Sequence, residues 1–197
     1  MKTRKLLCTA IALCVATGNA LLLEAAPPKA IADMDKKELK IHKRDYKKYA
    51  FETQINKDRS TGITWLESPQ VAHPSTPAMA HYFRVAFRDG KPVAHQLIVA
   101  KLHQGMTEYD RKSMDYTSAR IGDRVLPTEA GDPQRNPAYD QLTQISSITI
   151  TPEILKSHAD TGIDLWVKNT FGETEVPIHA SLVTAFLSRY EKLASKK

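Results

Sequence analysis

Two apolar-rich runs, Ala80 to Arg88 and Val93 to His103, are joined through Asp89-Gly90-Lys91-Pro92, and this pairing limits the fold more than any other feature of the chain. An Asp-Gly turn between two such runs is a hairpin signal, because both residues tolerate the positive φ that a tight reversal needs. Phe83, Val85 and Phe87 line one face of the first run, and Ala80, Tyr82 and Ala86 line the other. In the second run Leu97, Ile98 and Val99 are consecutive. Apolar residues on both faces predict central strands covered on two sides.

Shorter strand patterns surround the hairpin. Tyr49, Phe51, Thr53 and Ile55 alternate with Ala50, Glu52, Gln54 and Asn56, which predicts a strand. Gly62 to Glu67 is a second candidate, followed by a loop holding Pro69, Pro74 and Pro77. Residues 104–112 are polar. A pair through Asp115 to Arg120 and Arg124 to Leu126 turns at Gly122-Asp123, and Thr128 to Tyr139 reads as a long structureless segment. Gln144 to Ile150 is β-rich. Thr151-Pro152-Glu153 then has the order of cap, first-turn proline and first-turn acid that starts a helix, which Gly162 stops. A strand at Ile163 to Lys168 turns at Phe171-Gly172 toward Thr174 to Ile178.

Leu182, Val183, Phe186, Leu187, Tyr190 and Leu193 then share one face of a C-terminal amphipathic helix. Together these elements predict an α+β domain of mainly antiparallel sheet over residues 49–197. It has a short internal helix, and the last helix covers a sheet face or caps a sandwich. Thr61-Gly62-Ile63 recurs as Thr161-Gly162-Ile163, each before a tryptophan. A tripeptide match without longer register marks no duplication.

The N-terminus points to a compartment. Lys2, Arg4 and Lys5 precede an apolar run from Leu6 to Ala16, and the small or weakly polar Thr17, Gly18, Asn19 and Ala20 follow. This is the layout of a secretory signal peptide, residues 1–20, with cleavage after Ala20. Leu21, Leu22 and Leu23 lengthen the run toward the lower limit of a span, so an N-terminal membrane anchor is the alternative, and lipidation at Cys14 a third. Both cysteines, Cys8 and Cys14, lie inside the run. The exported chain is then cysteine-free, makes no disulfide, and draws its stability from a packed core. The expected location is the periplasm or the cell exterior.

The formal charge of +6 in 197 residues raises nucleic acid or an anionic surface as a partner. Its distribution narrows the choice. Lys2, Arg4 and Lys5 carry +3, Lys36 to Lys48 carries +5, and Tyr49 to Lys197 holds 17 basic and 17 acidic residues. A neutral body therefore follows residues 21–48, a Pro/Ala-rich then Lys-rich stretch that reads as a linker or a marginal helix. Its Tyr46 and Tyr49 imitate the aromatic interleaving of a nucleic-acid binder, but export argues against nucleic acid, and Lys36 to Lys48 reads first as a solvated tether and second as a weak electrostatic contact to an anionic membrane surface.

No residue is assigned a catalytic, cofactor-binding or metal-binding role. His42, His73, His81, His95, His103, His158 and His179 lack metal-motif spacing, although His81, His95 and His103 lie on or beside the hairpin and could share a face. There is no Gly-x-Ser-x-Gly elbow for Ser146, Ser147, His158, Asp160 or Asp164 to complete. The eight glycines are scattered, so no phosphate-cradling loop forms. Carboxylate pairs can be drawn among Asp164, Glu173 and Glu175, or among Glu108, Asp110 and Asp115. Trp65 and Trp166 read as sheet aromatics.

The resulting expectation is a non-enzymatic exported module acting through protein or envelope contacts, with the loops at Pro69 to Pro77 and Thr128 to Tyr139 as contact points. A periplasmic hydrolase using residues such as His95, His103 and Asp164, or a small-ligand binder on the hairpin face, are the alternatives.

Overall fold

The computed structural model describes residues 28–76, 78–104, 115–136 and 140–195. The signal-peptide stretch and its cysteines, residues 21–27 of the linker, the polar run 105–112 and Glu108 and Asp110 lie outside the described residues. After a short 3-10 turn at Ile31–Asp33 come α1 (Lys36–Glu52), β1 (Gln54–Asp58), β2 (Ile63–Glu67), β3 (Val71–Ala72), β4 (Met79–Arg88) and β5 (Lys91–Gln104). The chain continues through β6 (Ser118–Ile121), β7 (Arg124–Leu126), β8 (Thr128–Ala130), β9 (Gln134–Asn136) and β10 (Gln141–Thr149). It ends with α2 (Pro152–Ser157), β11 (Ile163–Asn169), β12 (Gly172–Ile178) and α3 (Ala180–Ala194).

The hairpin β4–β5 is the centre of the larger sheet, ordered β1-β2-β4-β5-β10-β8, with β3 also on β4 and β9 on β10. Every pairing is antiparallel. Its turn uses Asp89 and Gly90 at positive φ, as the sequence predicts. Both faces of the hairpin are buried: Met79, Phe83, Val85, Leu97 and Val99 on one, Ala80, Ala86, Ile98 and Ala100 on the other. A second sheet, β12-β11-β6-β7, is also antiparallel.

One core joins the two sheets to the helices. Phe83 and Leu97 of the large sheet, Leu165, Val167 and Val176 of the small one, Ile154 and Leu155 of α2, and Leu182, Val183 and Phe186 of α3 belong to the same buried cluster. Phe186 stacks on Phe83 with ring centroids 5.2 Å apart, so α3 is fastened to the inner face of the large sheet. His73 ties the sheets along an edge: its Nε2–H donates to the Glu175 carbonyl at 2.7 Å, and its Nδ1 accepts from Ser75 N–H at 3.2 Å. The α+β class, the antiparallel sheet, the short helix and the C-terminal helix on the sheet are as expected.

Three expectations need correction. Residues 49–52 close α1 and are not the start of a strand; β1 begins at Gln54. Of the two readings of Lys36 to Lys48, the linker is replaced by the helix: the stretch is most of a 17-residue α1. Thr128 to Tyr139 is not structureless where it is described, because β8 and β9 both pair with β10.

The two Thr-Gly-Ile tripeptides differ in a testable way. Gly62 and Gly162 have φ of +70° and +78°, but a Cβ on Gly62 meets nothing, whereas one on Gly162 would lie 2.6 Å from the Ile178 carbonyl oxygen and 3.0 Å from the Ala180 nitrogen. Gly62→Ala should cost about 1 kcal/mol for the left-handed backbone. Gly162→Ala adds a clash with the β12–α3 junction and should cost about 2–4 kcal/mol, read as the difference in urea midpoints. Register separates the tripeptides further: Trp65 shares a sheet face with Ile63, whereas Trp166 faces away from Ile163.

Candidate interaction surface

Helix α1 forms from residues that buy little burial. None of its side chains is fully buried, but Lys, Arg and Glu are good helix formers and the segment has no Gly or Pro. A capping box starts it. Asp35 accepts from the Lys37 and Glu38 amides at 2.7 and 2.8 Å, and Glu38 accepts from the Asp35 amide at 2.7 Å. These amides hold the Asp35 carboxyl below its ordinary pKa, and the Lys29 ammonium, 2.8 Å from Glu38, does the same for Glu38. Thr53 ends the helix, donating from its hydroxyl and its amide to the Tyr49 carbonyl at 2.7 and 2.9 Å.

The helix lies against α3. Its half-buried positions are Glu38, Leu39, His42, Asp45, Tyr46, Tyr49, Ala50 and Glu52, and Tyr49 packs on the core cluster. All three acids of α1 belong to this side. Asp45 acts electrostatically on His42 and on His179, the residue that precedes α3.

At 100° per residue, Lys36, Lys37, Lys40, Lys43, Arg44, Lys47 and Lys48 fall within an arc of about 140°, and all seven are exposed. Arg44 pairs with Asp45 at 2.9 Å. Among the described residues no carboxylate lies within ion-pair distance of the six lysines. Phe51, 89% exposed, projects within the same arc between Lys40 and Arg44, and Ile41, 41% exposed, lies at its margin. What the sequence shows as a charge run is thus one basic helical face with an exposed aromatic ring at its C-terminal end.

The chemistry-bearing candidates do not converge. His81, His95 and His103 do share the inner face of the hairpin, since His81 is opposite Val99 and the three lie an even number of positions apart in register. Eight residues of strand separate His95 from His103 by about 26 Å, with His81 about 13 Å from each along the strand, too far to share a metal ion. No group of three His, Cys, Asp or Glu among the described residues could hold one. Asp164 lies in the other sheet, opposite Pro177.

Serine and carboxylate pairings dissolve in the same way. Among the described residues Ser146 Oγ is buried without a partner and so are both ring nitrogens of His81; they occupy one cross-strand row with Val99 between them. Ser147 faces the opposite side of the sheet. His158 Nδ1 is held at 2.9 Å by the Ile154 carbonyl, and Ser157 Oγ lies 3.0 Å from the same nitrogen, so this ring finishes α2. Glu173 is paired with Arg120 at 2.8 Å, and the guanidinium keeps its carboxyl below the ordinary value.

Arg120 lies over Trp166 at 5.2 Å and Arg84 over Trp65 at 4.8 Å, so both tryptophans are half-buried sheet aromatics faced by a cation. Near the end of β5, Gln144 links His103, 3.2 Å away, to Asp115, to which it donates at 3.0 Å. Among the described residues no helix is long and apolar enough to cross a membrane. No family model matches the chain, and no curated protein or solved structure shows significant similarity to it.

Proposed function

We propose that the chain is an exported, non-enzymatic module of a bacterial envelope that works by contact. The observation that carries this reading is α1: seven cations on one exposed arc, on a helix seated on α3 and followed directly by the large sheet. The helix presents its charge from a defined place on an otherwise neutral body. Three of the polar groups that could have served chemistry have structural engagements: His73 joins the sheets, His158 finishes α2, and Glu173 pairs with Arg120. The N-terminal layout of Lys2 to Ala20 supports export.

The test is fractionation of a bacterial host that makes the full chain with a C-terminal tag. Export predicts that the tag is digested by protease added to spheroplasts and that the chain leaves the cytosol. A chain that stays soluble in the cytosol and is protected from the protease contradicts the reading.

A further inference from the structure

We infer that the outer face of α1 docks on an anionic phospholipid bilayer, with its lysines among the headgroups and Phe51 in the acyl boundary. The inference rests on the envelope reading above and names the surface that is contacted.

Four observations lead there. All seven cations of α1 lie on the exposed arc, whereas Glu38, Asp45 and Glu52 are half-buried and lie off it, Asp45 pairing with Arg44 at its flank, so the arc itself carries no acid. The six lysines have no carboxylate within ion-pair distance among the described residues. Phe51 is 89% exposed inside that arc, so an apolar ring adjoins the cations that would meet the headgroups. Finally, the apolar run ending at Leu23 is only thirteen positions before Lys36. While that run is in a membrane, α1 is within about 45 Å of it.

A polynucleotide fits the same face less well. Single strands are held by aromatic rings interleaved with the cations, and Tyr46 and Tyr49 are turned toward the body, Tyr49 onto the core cluster. Phe51 is the sole aromatic ring on the arc, at one end of it, where it can insert but cannot form a row. Lipid headgroups need no such row, and each Lys or Arg held near an anionic surface strengthens binding roughly fivefold.

The experiment is flotation of the full chain with two kinds of vesicle, phosphatidylcholine alone and phosphatidylcholine mixed with phosphatidylglycerol, at low and high salt. The N-terminal segment, with Lys2, Arg4 and Lys5, is the same in wild type and every variant, so the reading is the change in the ratio of the two vesicles from one variant to the next. Wild type should prefer the anionic vesicles on the order of a hundredfold at low salt, and the preference should shrink as salt shortens the reach of the charges. Replacing Lys36, Lys40, Lys43 and Lys47 by Gln, which keeps helix propensity, should remove most of that preference. Removing the same charge elsewhere, with Arg88, Lys91, Arg124 and Lys168→Gln, should leave it. Phe51→Ser should weaken binding to the anionic vesicles about tenfold. Circular dichroism of each variant confirms the fold.

An α1 variant with the wild-type preference overturns the inference. So does wild type binding single-stranded DNA more tightly than the anionic vesicles, with Phe51→Ser unaffected. A chain that is exported in the fractionation yet shows no lipid preference removes the bilayer assignment alone, whereas a cytosolic chain removes the envelope reading.

Discussion

Acidification from about pH 8 to about pH 5 should cost the folded chain about 2 kcal/mol through His81 alone. The ring is 1% exposed on the inner face of β4, and among the described residues neither nitrogen has a hydrogen-bond partner. Burial, followed by the nearby His73 and His179, pushes its pKa from 6.5 down to about 3. Between those two values the unfolded chain binds a proton at this position and the folded chain does not. Stability is therefore complete above about pH 6.5 and is lost steadily as the pH falls toward about 3. Burial also lowers the pKa of His42, His95, His103 and His179, so the total acid loss is steeper than one proton. His81→Leu should remove the His81 share and leave the rest. At about pH 8 the variant should be as stable as wild type or more so, because two unpartnered polar atoms have left the core. Urea unfolding at the two pH values checks both statements. An unchanged acid loss in the variant would assign the proton uptake to other groups.

Phe186→Ala should be at least as costly, at about 3–5 kcal/mol. The ring is 1% exposed, stacks on Phe83 and anchors α3 to the large sheet. Truncating it leaves a cavity where the sheet meets the helix that in turn supports α1. The loss is a large share of the roughly 5–15 kcal/mol that holds a typical domain together. In a thermal melt it corresponds to a fall of about 10 °C. A change under about 1 kcal/mol would mean that α3 is not seated through this ring.

The parts of the fold readable from sequence are those where burial and periodicity agree. The β4–β5 hairpin is legible because its apolar runs are long and its turn is Asp-Gly. Helix α3 is legible because Leu182, Val183, Phe186 and Leu187 are both aliphatic or aromatic and correctly spaced, and all four are buried. Helix α1 is obscured because its inner side uses Glu38, His42, Asp45, Tyr46 and Tyr49, not a row of aliphatics. Its end also imitates a strand. Tyr49 and Thr53 are two beats of a period-two pattern, but they are also four apart, the spacing of one helix face, and the backbone chooses the helix.

Strands β8 and β9 are three residues each, too short to show a period, and Gly131 and Pro133 lie between them. They are recognisable only through their pairing with β10. The candidate surface is half visible: the cations of Lys36 to Lys48 are countable in the sequence, but their confinement to one arc requires that the segment be a helix with its acids off that arc. The aromatic ring at the end of that arc, Phe51, alternates in the sequence like a strand residue, which hides its place on the helix face.

The basic face exists only while α1 is a helix seated on α3, and amide hydrogen exchange of the full chain tests this most directly. Alone, the amides of Lys40 to Glu52 should be protected well beyond coil rates, since α1 cannot open without leaving α3 and the core contact of Tyr49. With vesicles containing phosphatidylglycerol, exchange should slow further in α1 and stay unchanged in β6 and β7. Exchange at coil rates throughout residues 36–52 would contradict the account, because the cations would then belong to a solvated tether with no fixed face.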